Sequence, residues 1–179
     1  MAKTDTSERW FEARVVRGLT GVPQPEYSHE LAPTDFAATH NGYVQGKPTD
    51  YNRDVALDVT QLLAFLQSTQ PKAVDTLELA ADGIKRTQFL HRLQGEITKR
   101  GVVDVLRKGV SHGPVHVDLY KLLPTPGNAA ADAFGKNIFS VTRQVRYSNE
   151  SGNELDLAIF INGLPVLTFE LKNSLTKQT

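Results

Sequence analysis

Apolar and polar positions alternate with two different periods along this chain. Near the carboxyl end, residues 153–161 and 164–172 are β-prone apolar runs on either side of Asn162-Gly163. That dipeptide suits a tight turn with left-handed backbone, so the pattern predicts a hairpin. Phe139 to Tyr147 reads as a strand, with Phe139, Val141, Arg143, Val145 and Tyr147 on one face. Val115 to Leu123 alternates well enough for another. Earlier in the chain the period lengthens. Val55, Val59, Leu62, Leu63 and Leu66 form one apolar stripe, which predicts a helix over 55–67 with Asp54 as N-cap and a stop at Thr69-Gln70-Pro71. Phe89, Leu90, Leu93 and Ile97 mark the buried side of a helix beginning near Lys85. Gly101 interrupts it, and Val102 to Lys108 continue it up to Gly109.

The first residues are less regular. Trp10, Phe11, Val15 and Leu19 lie near helical spacing, and Pro23 and Pro25 then break any element. Residues 1–28 read as an N-terminal extension, and 29–179 as one domain. Residues 29–53 read mostly as loop, from Pro33, Gly42, Gly46, Pro48 and Asn52. Helices followed by strands close in sequence give an α/β domain with a mixed or antiparallel sheet flanked by helices.

Composition narrows the function classes. At 179 residues the chain fits one domain with a proper core. It has no run of apolar residues long enough for a membrane span and no apolar signal-peptide core. With no cysteine there is no disulfide, thiolate metal site or cysteine nucleophile, which fits a cytoplasmic location. Twenty basic and twenty acidic residues give zero formal net charge. DNA binders that work alone are usually basic, so another component is expected to deliver any DNA.

Against that balance the positions of individual charges matter. Asp156, Glu170 and Lys172 interrupt the apolar runs of the hairpin. A charge in a buried strand is costly unless paired or bound to metal. Two carboxylates can hold a hard cation such as Mg²⁺, and a lysine can orient water or neutralise charge developing on a phosphate. The alternative is a hairpin with one charged, solvated face. Residues 85–108 hold seven cations, including Lys99 and Arg100, against Glu96 and Asp104. They form either a solvated basic face or a phosphate-contacting surface. Arg143, Gln144 and Arg146 could contact DNA or support the site. Two other patterns carry little. Gly42 to Thr49 is one residue short of a phosphate loop, with Pro48 where Ser or Thr should stand. His112, His116 and Asp118 lack a further ligand at a fixed spacing.

Residues 139–148 followed by 153–178 closely resemble the amino-terminal nuclease domain of type I restriction enzyme R subunits, with Asn162-Gly163-Leu164-Pro165 fixing the spacing. Residues 42–58 resemble it less specifically. The resemblance implies a restriction-endonuclease-like core and a PD-(D/E)XK site. Asp156 and Glu170 would then be Mg²⁺ ligands and Lys172 the catalytic lysine. Such folds often take an extra carboxylate from a preceding helix. Glu96 is the candidate for it here, with a helical ion pair to Arg92 or Arg100 as the other reading. The expected substrate is double-stranded DNA, and the expected partners are specificity and methylation subunits. In the family an ATP-driven motor follows, as does a helix bearing Gln and Tyr that completes the site. The chain stops at Thr179 before both, so it looks like an amino-terminal fragment or a truncated chain. A non-catalytic docking module joining the motor to the other subunits is the alternative function.

A shared site imposes a parity on the hairpin. With a plain two-residue turn, Asp156 would face Phe169, and Glu170 would point to the other side of the sheet. The expectation is therefore a three-residue turn, Ile161 to Gly163, with a bulge that sets Asp156 opposite Thr168 and Glu154 opposite Glu170. An equivalent bulge elsewhere in the hairpin would restore the same parity.

Overall fold

The computed structural model describes residues 8–25, 42–123, 131–148 and 152–171. The elements begin with α1 (Glu8–Thr20), β1 (Tyr43–Gln45), β2 (Tyr51–Asn52), β3 (Leu57–Asp58), α2 (Val59–Thr69) and α3 (Pro71–Thr76). Then come α4 (Ile84–Arg100), α5 (Val102–Lys108), β4 (Val110–His112), β5 (Val115–Val117) and α6 (Ala131–Phe134). The last three are β6 (Phe139–Arg146), β7 (Glu154–Ile161) and β8 (Leu164–Phe169). The main sheet runs β1-β6-β7-β8, with β1 parallel to β6 and the other neighbours antiparallel. It is therefore mixed, as one of the two sequence expectations had it.

Helix α1 packs on this sheet. Val16 buries against Val141, Leu157 and Ile159. The face it turns inward is Glu12, Ala13, Val16 and Thr20, while Phe11 is exposed. Of the residues at helical spacing, Val15 and Leu19 pack partly against this cluster, and Phe11 does not.

The larger core lies among α2 to α5 and the β4–β5 hairpin. Leu62, Phe65, Leu79, Phe89, Leu93 and Val105 are its fully covered centre, and Leu164 of β8 joins it. Each such side chain stabilises the fold by about 1.5–3 kcal/mol relative to exposure. The N-cap of α2 is Asp58, which accepts from the Gln61 N–H at 3.0 Å, and not Asp54. Asp54 lies in the turn before β3, where its N–H donates to Asn52 Oδ1. Both aspartates precede apolar residues, but Asp54 falls in the turn joining β2 to β3, and the helix starts only after Asp58 at the end of β3. The helix break falls at Gly101, whose φ of +82° suits glycine.

The strand expected over 115–123 is only Val115–Val117. It pairs with β4 in a separate two-stranded sheet. After it, Gln70 takes up the backbone of Asp118, donating to its carbonyl at 2.7 Å and accepting from its N–H at 2.9 Å. Strand β6 also departs from strict alternation. Gln144 has φ +52°, and Val145 packs with Ala158 and Phe160 while Val141 packs with Leu157 and Ile159. Val141 and Val145 therefore do not share a face. Among the described residues, no helix is long and apolar enough to cross a membrane.

Candidate functional site

The turn of the β7–β8 hairpin has two residues. Asn162 and Gly163 have φ of +51° and +81°, and Ile161 pairs with Leu164. Both central residues are left-handed, as a primed turn requires. The three-residue turn is thus not what the chain adopts. The register shift comes further along. Phe160 pairs with Pro165 but Ile159 pairs with Leu167, so Val166 is the extra residue of a bulge. Proline has no N–H for the ladder and is found in sheets at edges and bulges; here it sits at both.

That one residue shifts the register of the hairpin by one position. Beyond the bulge Ala158 pairs with Thr168, and Leu157 pairs with Phe169. The pairing ends there, and one further step in the same register would set Asp156 opposite Glu170. Glu154 does not oppose Glu170. Its carboxylate accepts from Arg146 Nε at 3.1 Å across β6–β7. Asp156 is half-buried, and its Oδ2 accepts from the Leu171 N–H at 2.5 Å. Glu170 is exposed. Lys172 lies outside the described residues.

The turn itself is buried. The side-chain amide of Asn162 donates to the Leu119 carbonyl at 2.8 Å and to Asn137 Oδ1 at 3.0 Å, and its oxygen accepts from the Ile138 N–H at 2.7 Å. Gly163 O accepts from the Asp58 N–H at 2.9 Å. The hairpin is therefore fixed at its turn, and its open end presents the carboxylates.

Beside that end lies a residue the sequence reading missed. Glu12 is 1% exposed. Both its carboxylate oxygens accept from Gln144 Nε2 at 3.0 Å, and Oε2 also accepts from Arg143 Nε at 3.1 Å. Gln144 occupies the β6 position between the pairs Arg143–Leu157 and Val145–Leu155, level with Asp156. Its left-handed backbone brings two successive side chains to one carboxylate. The one signal in the sequence was Glu12 at helical spacing from Val16 and Thr20.

The remaining candidates are placed as follows. Glu96 is held by Arg92 at 3.0 Å and Arg100 at 2.6 Å, the helical ion pair that was its other reading. Arg100 also donates to Asp104 Oδ2 and to the Gly109 carbonyl, joining α4 to the end of α5. Asp104 is held below the usual carboxylate range by its hydrogen bonds from Lys108 and Arg100. Arg143 and Arg146 face Glu12 and Glu154, and Lys99 is exposed on α4. His116 lies 3.7 Å from Asp118, which also binds Lys121, and the His112 ring packs on Phe89. Among the described residues no three His, Asp or Glu side chains are grouped to hold a metal. The pair Asp156 and Glu170 is an all-oxygen donor set at a hairpin end, which fits a hard divalent cation.

A four-stranded mixed sheet flanked by helices, with a carboxylate pair at one hairpin end, defines a domain compatible with the restriction-endonuclease-like fold. The sequence family described as type I restriction enzyme R protein N terminus matches residues 59–179, and the chain belongs to that family. No curated protein and no solved structure matches it.

Proposed function

We propose that this domain is the DNA endonuclease module of a type I restriction enzyme R subunit, hydrolysing phosphodiester bonds with Mg²⁺. The observation that supports the reading is the bulge at Val166, the kind of register shift that a site shared by Asp156 and Glu170 requires, in a chain of this family. The two carboxylates would hold the cation. Bound there, a divalent cation supplies water activation and charge neutralisation at phosphate. Lys172 orients the attacking water or offsets charge on the phosphate. The Leu171 N–H fixes the Asp156 carboxylate. Duplex DNA is the substrate. Specificity and methylation subunits and an ATP-driven motor, bound outside this chain, complete the cytoplasmic enzyme.

Calorimetric titration with Mg²⁺ or Mn²⁺ tests this. The chain should bind one cation, and Asp156→Asn and Glu170→Gln should each weaken binding at least about tenfold. No saturable binding would leave the domain as a docking module between the motor and its partner subunits, a reading that the zero net charge favours.

A further inference from the structure

Charge is unevenly distributed in this electrically balanced chain. Helix α4 carries Lys85, Arg86, Arg92, Lys99 and Arg100 against one acid, Glu96. Two of these cations turn inward. Arg100 is committed to Glu96, Asp104 and the Gly109 carbonyl, and Arg86 is largely covered beside Asp82. The other three face outward together. At 3.6 residues per turn, Lys85, Gln88, Arg92, Gly95 and Lys99 fall within an arc of about 80°. All five are exposed, while Phe89, Leu90 and Leu93 are buried.

Gly95 lies at one edge of that arc, between Arg92 and Lys99 along the axis. Glycine is among the poorest residues for a helix interior. A Cβ added there would meet nothing within 4 Å, so packing inside the domain does not call for it. A bare backbone between two cations suits the close approach of another molecule's backbone. The cations stand about 10 Å apart along the axis at 1.5 Å per residue. A stiff, extended polyanion can engage all three, whereas a single phosphate cannot. Lys85 is paired with Glu78 and Arg92 with Glu96. The Lys85–Glu78 pair is exposed and therefore weak, while the largely covered Glu96 keeps Arg100 as a second partner when Arg92 turns outward.

We propose that this face of α4, bordered by Gly95, seats the sugar–phosphate backbone of duplex DNA. It rests on the nuclease reading only for the identity of the polyanion, and it requires nothing of Asp156 or Glu170. The contact is independent of base sequence and supplies positioning, not cleavage.

Fluorescence anisotropy of the full chain with a labelled duplex oligonucleotide, in EDTA and over a range of salt, tests it. The variant Lys85→Gln/Arg92→Gln/Lys99→Gln should bind at least about tenfold more weakly. Its slope of log affinity against log salt should fall by about 2–3, at roughly 0.9 per phosphate contact. Gly95→Glu, which adds a carboxylate without an internal clash, should also weaken binding. Lys47→Gln/Arg53→Gln/Lys72→Gln removes the same charge from exposed positions elsewhere and should change the slope by less than one. The proposal is overturned by absent duplex binding, by equal effects of the two triple variants, or by polyglutamate displacing the duplex at equal charge. Because no metal is present, failure of the nuclease reading leaves these measurements standing.

Discussion

The backbone N–H of Leu171 donates to Oδ2 of Asp156 at 2.5 Å across the open end of the hairpin. Asparagine at 156 keeps an oxygen for that bond but loses the charge. Asp156→Asn should therefore fold normally while DNA cleavage by the intact R subunit falls on the order of 10²-fold or more, with ATP hydrolysis unchanged. Lys172→Ala should give the same split. Paired cleavage and ATPase assays check both, and cleavage within tenfold of wild type would remove the residue concerned from the site.

Gly163→Ala should be severely destabilising. A Cβ there would lie 2.3 Å from the Asp58 carbonyl oxygen and 2.7 Å from the Leu62 nitrogen, at a φ of +81°. Left-handed strain and overpacking together cost about 2–4 kcal/mol. Urea denaturation should show this as a lower midpoint with an unchanged slope.

Asp58 gives the fold a pH signature. Burial, with nearby Asp50 adding to it, raises its carboxyl pKa above the ordinary 3.8, against hydrogen bonds from the Gln61 and Thr60 amides. The folded state then holds the proton more tightly than the unfolded state. The resulting stabilisation is full below pH 3.8 and is lost as pH rises through the raised value. Asp58→Asn keeps the cap acceptor and does not titrate there. The stability of wild type minus that of the variant should fall as pH rises above 3.8. A difference that is flat or rises with pH would contradict the assignment.

Removing Glu12 should cost more than an ordinary surface change. Glu12→Ala leaves Arg143 and Gln144 without the carboxylate that gathers them, and breaking such a buried pair costs about 3–5 kcal/mol. Thermal and urea unfolding would register the loss, and a change below 1 kcal/mol would show that other groups take over the arginine.

What could be read from the sequence was local. Gly101 and Gly109 bounded α5, Pro71 closed α2, and Asn162-Gly163 made the turn, because each residue's backbone preference acts on its immediate neighbours. Residues 118–123 kept an alternating pattern without becoming a strand. Gln70, 48 residues away, took the hydrogen bonds of Asp118. Parity showed that a bulge was needed, but not that Pro165 would put it at Val166 and leave the turn at two residues. Glu12 was hidden because its partners lie 131 and 132 residues along the chain. Nothing local distinguishes a covered acid from a solvated one.

Hairpins are ordinarily closed by their most exposed and most forgiving segment, where extra residues can be added at little cost. Here the ends have exchanged roles. Asn162 and Gly163 are plugged into the Leu119–Ile138 backbone and the start of α2, so a peptide or tag spliced between them would unseat the core. The exposed residues lie instead at the opposite end, among them Gly152 to Glu154 and Leu167 to Glu170. The portion of the hairpin most open to remodelling is therefore the one that carries its candidate chemistry.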